Sequence, residues 1–131
     1  MIGLDTNVLV RYLAQDEPTQ SARATRLIEE EMSERMPGYI SLLVLLETCG
    51  VLKRVYRATP DEVLAIVRDL LGTRQVVIAQ RTIVSAALTR LVAAGGDFSD
   101  ALIAECAADA GCERTVTFDR GALRVGMQLL R

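Results

Sequence analysis

Four acidic side chains stand where neither solvent nor an ordinary helix start readily explains them: Asp5, Glu47, Asp100 and Asp119. Asp5 and Asp119 each follow a short apolar run typical of a buried strand. Asp100 opens an Ala-rich segment of high helix propensity. Each also has an ordinary alternative: a helix cap for Asp5, a dipole contact for Asp100 and a turn for Asp119.

Glu47 is the acidic residue with the weakest structural explanation. Apolar residues precede and follow it, and Lys53 and Arg54 are out of register for a helical ion pair. We therefore expect its carboxylate to be buried and unpaired. Burying such a group costs several kcal/mol of folding free energy, so a chance structural role does not explain it well.

The chemistry open to such a set of carboxylates follows from their mutual repulsion. Carboxylates ~5 Å apart repel by about 3 kcal/mol per pair at an effective dielectric constant of 20, so a cluster stays ionised only around cations. The chain contains no histidine, and an all-oxygen set suits Mg²⁺ or Mn²⁺ better than zinc. Acidic clusters with such ions hydrolyse phosphodiesters, because the metal generates hydroxide and stabilises the leaving oxygen.

The composition excludes several other classes of protein. Without histidine, the chain cannot use a His-based triad, a zincin motif or a His-dependent nuclease site. No apolar run reaches the ~18 residues of a membrane span, and no export signal is visible, so we expect a cytoplasmic protein without a membrane partner. The net charge of −2 does not indicate a nucleic-acid binder through bulk charge. A local arginine patch is left open.

The three cysteines, Cys49, Cys106 and Cys112, are odd in number and lack the close pairs of zinc or redox motifs. We therefore expect reduced thiols in the core.

Short apolar strands alternate with helices along the chain, which predicts an α/β fold with a parallel sheet covered on both faces. A chain of 131 residues suits one domain. We therefore predict a single three-layer α/β/α domain over residues 1–131, with a central parallel sheet of four to five strands. The predicted strands lie near residues 1–4, 39–41, 76–78 and 115–118, with an edge strand within 125–130. The first predicted helix begins near residue 8. The other predicted helices cover about 19–34, 42–56, 60–71, 81–94 and 101–108.

This fold would place the four acids together. If the first and fourth strands are neighbours, Asp5 and Asp119 project from the same sheet edge, where the helices carrying Glu47 and Asp100 also begin. Ligands of open α/β sheets bind at that edge. The sequence thus predicts that the four carboxylates converge on divalent ions.

Four stretches, in this order and at this spacing, resemble the PIN-domain ribonucleases, and in particular the VapC toxins of bacterial toxin–antitoxin pairs. They are Leu4-Asp-Thr-Asn-Val-Leu9, the apolar-flanked Glu47, Asp97-Phe-Ser-Asp-Ala-Leu-Ile-Ala104 and Thr117-Phe-Asp-Arg120. The resemblance covers essentially the whole chain.

The resemblance implies a metal-dependent endoribonuclease with a defined acidic site. By that likeness Asp5, Glu47, Asp100 and Asp119 surround Mg²⁺ or Mn²⁺, and the Thr6 hydroxyl orients a metal-bound water. It also implies an RNA substrate, a homodimer and a cognate antitoxin. Such an antitoxin is commonly a small DNA-binding protein whose tail wraps the toxin and blocks its site.

Three further residues of these stretches are also candidates for the site. Asp97 either helps to position the site or is an ordinary loop residue. Thr117 matches a position where family members often carry Ser or Thr. Arg120 either meets a substrate phosphate or pairs with Asp119.

Two other classes of α/β protein do not fit the sequence, and a third is left as the alternative. A haloacid dehalogenase-type enzyme requires a second Asp two residues after the first, and position 7 is Asn7. A response-regulator receiver domain requires a lysine late in the sheet, but Lys53 is the sole lysine. A non-catalytic binding module of the same fold, acting through a partner, remains the alternative.

Overall fold

The computed structural model describes all 131 residues and confirms the α/β class. Five strands are present: β1 (Ile2–Gly3), β2 (Gly38–Ile40), β3 (Val76–Ile78), β4 (Val116–Thr117) and β5 (Gln128–Leu129). Six α-helices connect them: α1 (Thr6–Ala14), α2 (Pro18–Arg26), α3 (Leu42–Arg54), α4 (Pro60–Leu71), α5 (Arg81–Ala94) and α6 (Phe98–Asp109). A π-helical segment covers Leu27–Glu31 and a 3₁₀ segment covers Arg120–Val125. None of the helices is long and apolar enough to cross a membrane.

The chain divides into two compact units. The first comprises Met1–Ala58 and Ile66–Ala79, and the second comprises Thr59–Ala65 and Gln80–Arg131. Helix α4 therefore begins in the second unit and ends in the first.

The first unit is built on a parallel sheet in the order β1-β2-β3. Ile2 lies opposite Gly38 and Gly3 opposite Tyr39, and the amide of Leu4 continues the ladder to the carbonyl of Tyr39 at 2.9 Å. Helix α1 packs against both α2 and α3. The core beneath them consists of aliphatic side chains, including Leu9, Ile40, Leu45 and Val67.

The second unit is built on the pair of helices α5 and α6, against which the 3₁₀ segment packs. Arg90 of α5 pairs with Glu105 of α6 and donates from Nη1 to the carbonyl oxygen of Val125 at 2.7 Å. Gly126 has φ +91°, and a Cβ there would lie 2.5 Å from Arg90 Nη1. Arg90 therefore ties the end of the 3₁₀ segment to both helices, and only glycine suits the next position.

Side-chain chemistry at two helix starts confirms the predicted boundaries. The Ser41 hydroxyl accepts a hydrogen bond from the amide of Val44 at 3.1 Å and caps α3. Thr59 and Glu62 form a reciprocal capping box at the start of α4. Hydrogen bonds from Thr59 to the Glu62 carboxylate lower the pKa of Glu62.

Three predictions about the elements need correction. The five strands are parallel, as predicted, but form a three-stranded and a two-stranded ladder instead of one sheet, since β4 pairs with β5. The helix predicted to end near residue 34 ends at Glu31, after its last turn widens to π geometry. Helix α1 begins at Thr6, before the predicted start near residue 8, so Asp5 occupies its N-cap position, but the Asp5 side chain makes no capping hydrogen bond.

The cysteines agree with their predicted redox state but only partly with their predicted location. None of the three forms a disulfide bond. Cys49 is buried, Cys106 is half-buried and Cys112 is exposed, so the prediction of core thiols is correct for Cys49 alone.

Candidate functional site

Asp5 stands at the junction between β1 and α1, with its side chain exposed to solvent. The preceding Leu4 is buried and fixes the backbone in the sheet. The Asp5 carbonyl accepts hydrogen bonds from Val8 and Leu9 at 3.1 and 3.2 Å, but its carboxylate caps nothing. Asp5 therefore occupies the N-cap position, but its side chain does not act as a cap. A carboxylate at the positive end of a helix is electrostatically favoured there and retains its acceptor capacity.

Two threonines of the first unit have buried hydroxyls with no hydrogen-bond partner. Thr6 directly follows Asp5, and Thr48 directly follows Glu47. Buried hydroxyls in native proteins nearly always have a partner, either protein or ordered water. The protein supplies none at Thr6, which therefore carries an unpartnered hydroxyl directly after Asp5 at the start of α1.

Glu47 lies on the exposed side of α3, so the prediction of a buried carboxylate is wrong. The buried side of this helix carries Leu45, Thr48, Cys49 and Leu52. Leu43, one turn before Glu47, is 80% exposed. Helix α3 therefore has a solvent-facing side, which its apolar sequence did not predict. Glu47 has no burial cost to offset, and its carboxylate is accessible to an ion.

A cleft of about 290 Å³ opens between α1 and α2 in the first unit. Asn7, two residues after Asp5, lines it together with Arg11 and Arg23. Arg11 donates from Nε to Gln20 Oε1 at 2.8 Å and forms an ion pair with Asp16 at 3.3 Å. The charge of Arg11 is thus partly compensated inside the cleft. The sequence contains no signal for this cleft, because the shape of the cleft depends on how two helices pack.

In the second unit, Asp97 and Asp100 flank the start of α6. Asp97 is the residue before the helix, its side chain makes no capping bond, and both residues are half-buried. Phe98 between them is 1% exposed and anchors this end of the helix in the core. The buried ring thus fixes the backbone that carries both carboxylates.

Asp119 lies at the exposed junction between β4 and the 3₁₀ segment. Its Oδ1 accepts a hydrogen bond from the amide of Gly121 at 2.9 Å, and its own amide donates to Thr117 Oγ1 at 3.0 Å. The interpretation of Asp119 as a turn residue is therefore correct for one of its carboxylate oxygens. Thr117 has a structural role in the same turn. The second carboxylate oxygen of Asp119 is outside this capping bond. No ion pair with Asp119 is formed by Arg120.

The structure places Asp5, Thr6 and Glu47 in the first unit, and Asp100 and Asp119 in the second. It contains no group of three or more His, Cys, Asp or Glu side chains placed to hold a metal ion. Convergence of the four acids on divalent ions stays a prediction. Their donor chemistry nevertheless suits a hard cation, since all the ligand atoms would be carboxylate oxygens.

Comparison with known families gives one match, to the model described as PIN domain, over residues 2–127. The matched region includes all four acidic residues and most of both compact units. No curated protein matches the chain at a significant level.

Proposed function

Since the chain belongs to the PIN domain family, whose members are generally metal-dependent nucleases, we propose that it is an endoribonuclease dependent on Mg²⁺ or Mn²⁺. The reaction is the hydrolysis of an RNA phosphodiester bond. The observation that carries this proposal is the state of Asp5. Its carboxylate is exposed at the carboxyl end of a parallel strand, beside a helix N-terminus, with no capping role. That position is where open α/β sheets bind ligands.

The metal ligands in this proposal are the carboxylates of Asp5, Glu47, Asp100 and Asp119. A bound divalent ion would supply a Lewis acid that lowers the pKa of water and neutralises charge on the phosphate. Without histidine in the chain, carboxylates, hydroxyls and water must perform the proton transfers. Asp119 would offer the oxygen that its turn leaves unused.

Thr6 is proposed as a positioning residue for the attacking water. Its buried hydroxyl has no partner in the protein and follows Asp5 directly in α1. A water bound there would satisfy the hydroxyl and be held next to the carboxylate. Orientation of this kind contributes to rate, because it removes the entropy of finding the reactive geometry.

The biological role that we propose is that of a cytoplasmic toxin, inhibited by a cognate antitoxin and acting as a homodimer on RNA. The support is the family match together with the sequence resemblance to VapC toxins described above. The proposal predicts that the purified chain binds a protein partner that suppresses its nuclease activity.

Metal-dependent cleavage tests the enzymatic part directly. The purified full-length chain is incubated with single-stranded RNA in Mg²⁺, in Mn²⁺ or in EDTA, alongside duplex RNA and single-stranded DNA. We expect cleavage of single-stranded RNA in either metal and none in EDTA. Cleavage in EDTA would contradict the metal dependence, and preferential cleavage of DNA would contradict the RNA assignment.

A binding module of the same fold is distinguished by a stability measurement. A metal that binds only the folded state raises the melting temperature by mass action. We expect such a rise at millimolar Mg²⁺. Absence of both cleavage and a melting shift would favour the binding module over the nuclease.

Replacing Thr6 or Thr48 by valine separates catalysis from stability. Each change removes a buried hydroxyl without a protein partner and preserves the side-chain shape. We expect the free energy of unfolding of each variant to stay unchanged or to rise by about 1 kcal/mol. Only Thr6→Val should slow RNA cleavage, by about tenfold, which is the usual effect of losing a positioning group beside a metal site.

Thr48→Val is the matched control, because Thr48 is equally buried and adjoins another acidic residue. Denaturant titration measures stability, and initial cleavage rates at saturating Mg²⁺ measure activity. Equal rates for the parent and Thr6→Val would show that the Thr6 hydroxyl positions nothing in the reaction.

A further inference from the structure

Phe118 is an aromatic side chain left in solvent. It is 82% exposed, whereas the other four aromatic residues are buried or half-buried. A large apolar ring in water forgoes the free energy that burial would supply. A single exposed apolar residue is ordinary by itself, so a binding role for this ring depends on the backbone that holds it and on the charged residues near it.

The backbone on both sides of Phe118 is held in place. The Thr117 carbonyl accepts from the amide of Leu130 at 2.8 Å, which fixes the end of β4 in its ladder. The next residue, Asp119, is tied to Thr117 Oγ1 and to the amide of Gly121. The ring therefore projects from a short rigid turn and loses little backbone entropy when a ligand covers it.

The C-terminal segment that carries Phe118 is positively charged, in contrast to the chain as a whole. Residues 114–131, which follow the exposed Glu113, contain four arginines and one aspartate, a side-chain charge of +3, whereas the full chain has −2. All four arginines, at positions 114, 120, 124 and 131, are exposed. A positive surface with an exposed aromatic ring is the combination that binds single-stranded nucleic acid, because cations contact phosphates while bases stack on the ring.

We propose that Phe118 is a base-stacking residue for the RNA substrate, with Arg120 contacting the RNA backbone beside it. This inference rests on the proposed nuclease function and adds a means of substrate recognition to it. Phe118 immediately precedes Asp119, so a base stacked on its ring brings an adjacent phosphate to the Asp119 junction. Stacking tolerates any base, so the contribution is to affinity for unpaired RNA more than to sequence choice.

A second copy of the chain is the other occupant that the same surface would accept. Val116 of β4, two residues before Phe118, is also exposed. The positive charge of residues 114–131 argues against this occupant, because two copies of this segment would repel each other. Oligomeric state is therefore measured together with RNA binding.

Four variants of the full-length chain test the inference: Phe118→Ala, Phe118→Leu, Phe118→Tyr and Val92→Ala. Val92 is 67% exposed on α5 of the same unit and serves as the control for loss of exposed apolar surface. Binding of fluorescein-labelled single-stranded RNA is followed by anisotropy in EDTA, where cleavage is expected to be absent. We expect Phe118→Ala to weaken binding about tenfold or more and Phe118→Leu to weaken it nearly as much. Phe118→Tyr and Val92→Ala should bind as the parent does.

An abasic-site series identifies the stacked base. RNAs that lack one base at successive positions are bound to the parent and to Phe118→Ala. At the stacked position, removal of the base should lower the affinity of the parent as much as Phe118→Ala lowers the affinity for intact RNA. It should cause no further loss in the alanine variant. In Mg²⁺, the KM of Phe118→Ala should rise while its kcat stays within about twofold.

The outcomes separate this inference from the nuclease itself. Unchanged RNA affinity for Phe118→Ala, with cleavage intact, would overturn the stacking role and leave the nuclease standing. Loss of a dimer in Phe118→Ala, measured by sedimentation, with no base-specific loss in the abasic series, would assign the surface to self-association. Failure of the parent to bind or cleave any RNA would instead overturn the proposed function.

Discussion

Asp5→Asn is expected to lower the rate of metal-dependent RNA cleavage by at least about a hundredfold, since the loss of a charged ligand removes several kcal/mol of electrostatic stabilisation. The fold should be unaffected. Asn is as good a residue as Asp before a helix, and the Asp5 side chain makes no capping bond to lose. We expect the free energy of unfolding to change by less than about 0.5 kcal/mol.

Glu47→Gln should likewise slow cleavage and leave the fold intact. The structure changes the reason for expecting an unchanged stability. The sequence predicted a buried carboxylate, whose neutralisation would have relieved a large desolvation cost. The exposed position of Glu47 removes that cost, so the substitution should leave stability nearly constant. Its effect on the cleavage rate then reports the lost charge alone.

Asp61→Asn is the matched control for both variants. Asp61 is an exposed carboxylate in the first turn of α4, and a capping box that does not include it holds this turn. Cleavage rates are measured at saturating Mg²⁺ and denaturant curves at the same pH. Parental rates for both Asp5→Asn and Glu47→Gln would exclude these residues from the site, and a slow Asp61→Asn would show a general charge effect.

Sequence reasoning located the helices well because their start signals are local. Ser41 caps α3 through the amide three residues on, and Thr59 with Glu62 caps α4. Each signal lies within one turn of the chain, so no tertiary information is needed. The 3₁₀ segment at Arg120–Val125 was missed, since the Asp119 carboxylate and packing against α5 and α6 both support it.

The partners of the strands were harder to predict, because pairing is not local. Strands of two or three residues carry almost no register information, and β4 and β5 are two residues each. Both strands lie within their predicted ranges, 115–118 and 125–130. Their pairing as a separate ladder was not predicted.

Residue types and positions of the candidate site were easier to predict than side-chain orientation. Asp5 and Asp119 were predicted at strand exits and lie there. The predicted orientation of Glu47 was wrong, because the sequence of α3 is apolar on most sides, yet Leu43 faces solvent despite its hydrophobicity. Phe118 was overlooked for a similar reason. A Phe at the end of an apolar strand predicts core, and only the structure reveals its exposure.

Phe98→Ala should cause the largest loss of stability of any variant considered, about 3–5 kcal/mol, which is typical of truncating a buried phenylalanine. The ring is 1% exposed and is the largest fully buried side chain of the chain. Domains of this size have only about 5–15 kcal/mol in total, so a substantial fraction would be lost. The melting temperature should fall by roughly 10–25 °C.

The same substitution should impair the proposed catalysis even where the variant is folded. Phe98 is the first residue of α6, directly after Asp97 and two residues before Asp100. A cavity beneath this turn loosens the backbone that fixes both carboxylates, and small displacements of metal ligands are costly in rate. Cleavage measured well below the melting transition should therefore be slower than in the parent.

Two further variants make the prediction specific to the buried ring. Ile103→Ala truncates a residue of the same helix that is 46% exposed and should cost less than about 1 kcal/mol without slowing cleavage. Phe98→Leu keeps most of the apolar volume and should recover over half of the stability that alanine loses. If Ile103→Ala and Phe98→Ala were equally destabilising in denaturant titrations, Phe98 would not be the anchor of this turn. Asp97 and Asp100 would then owe their positions to other contacts of α6.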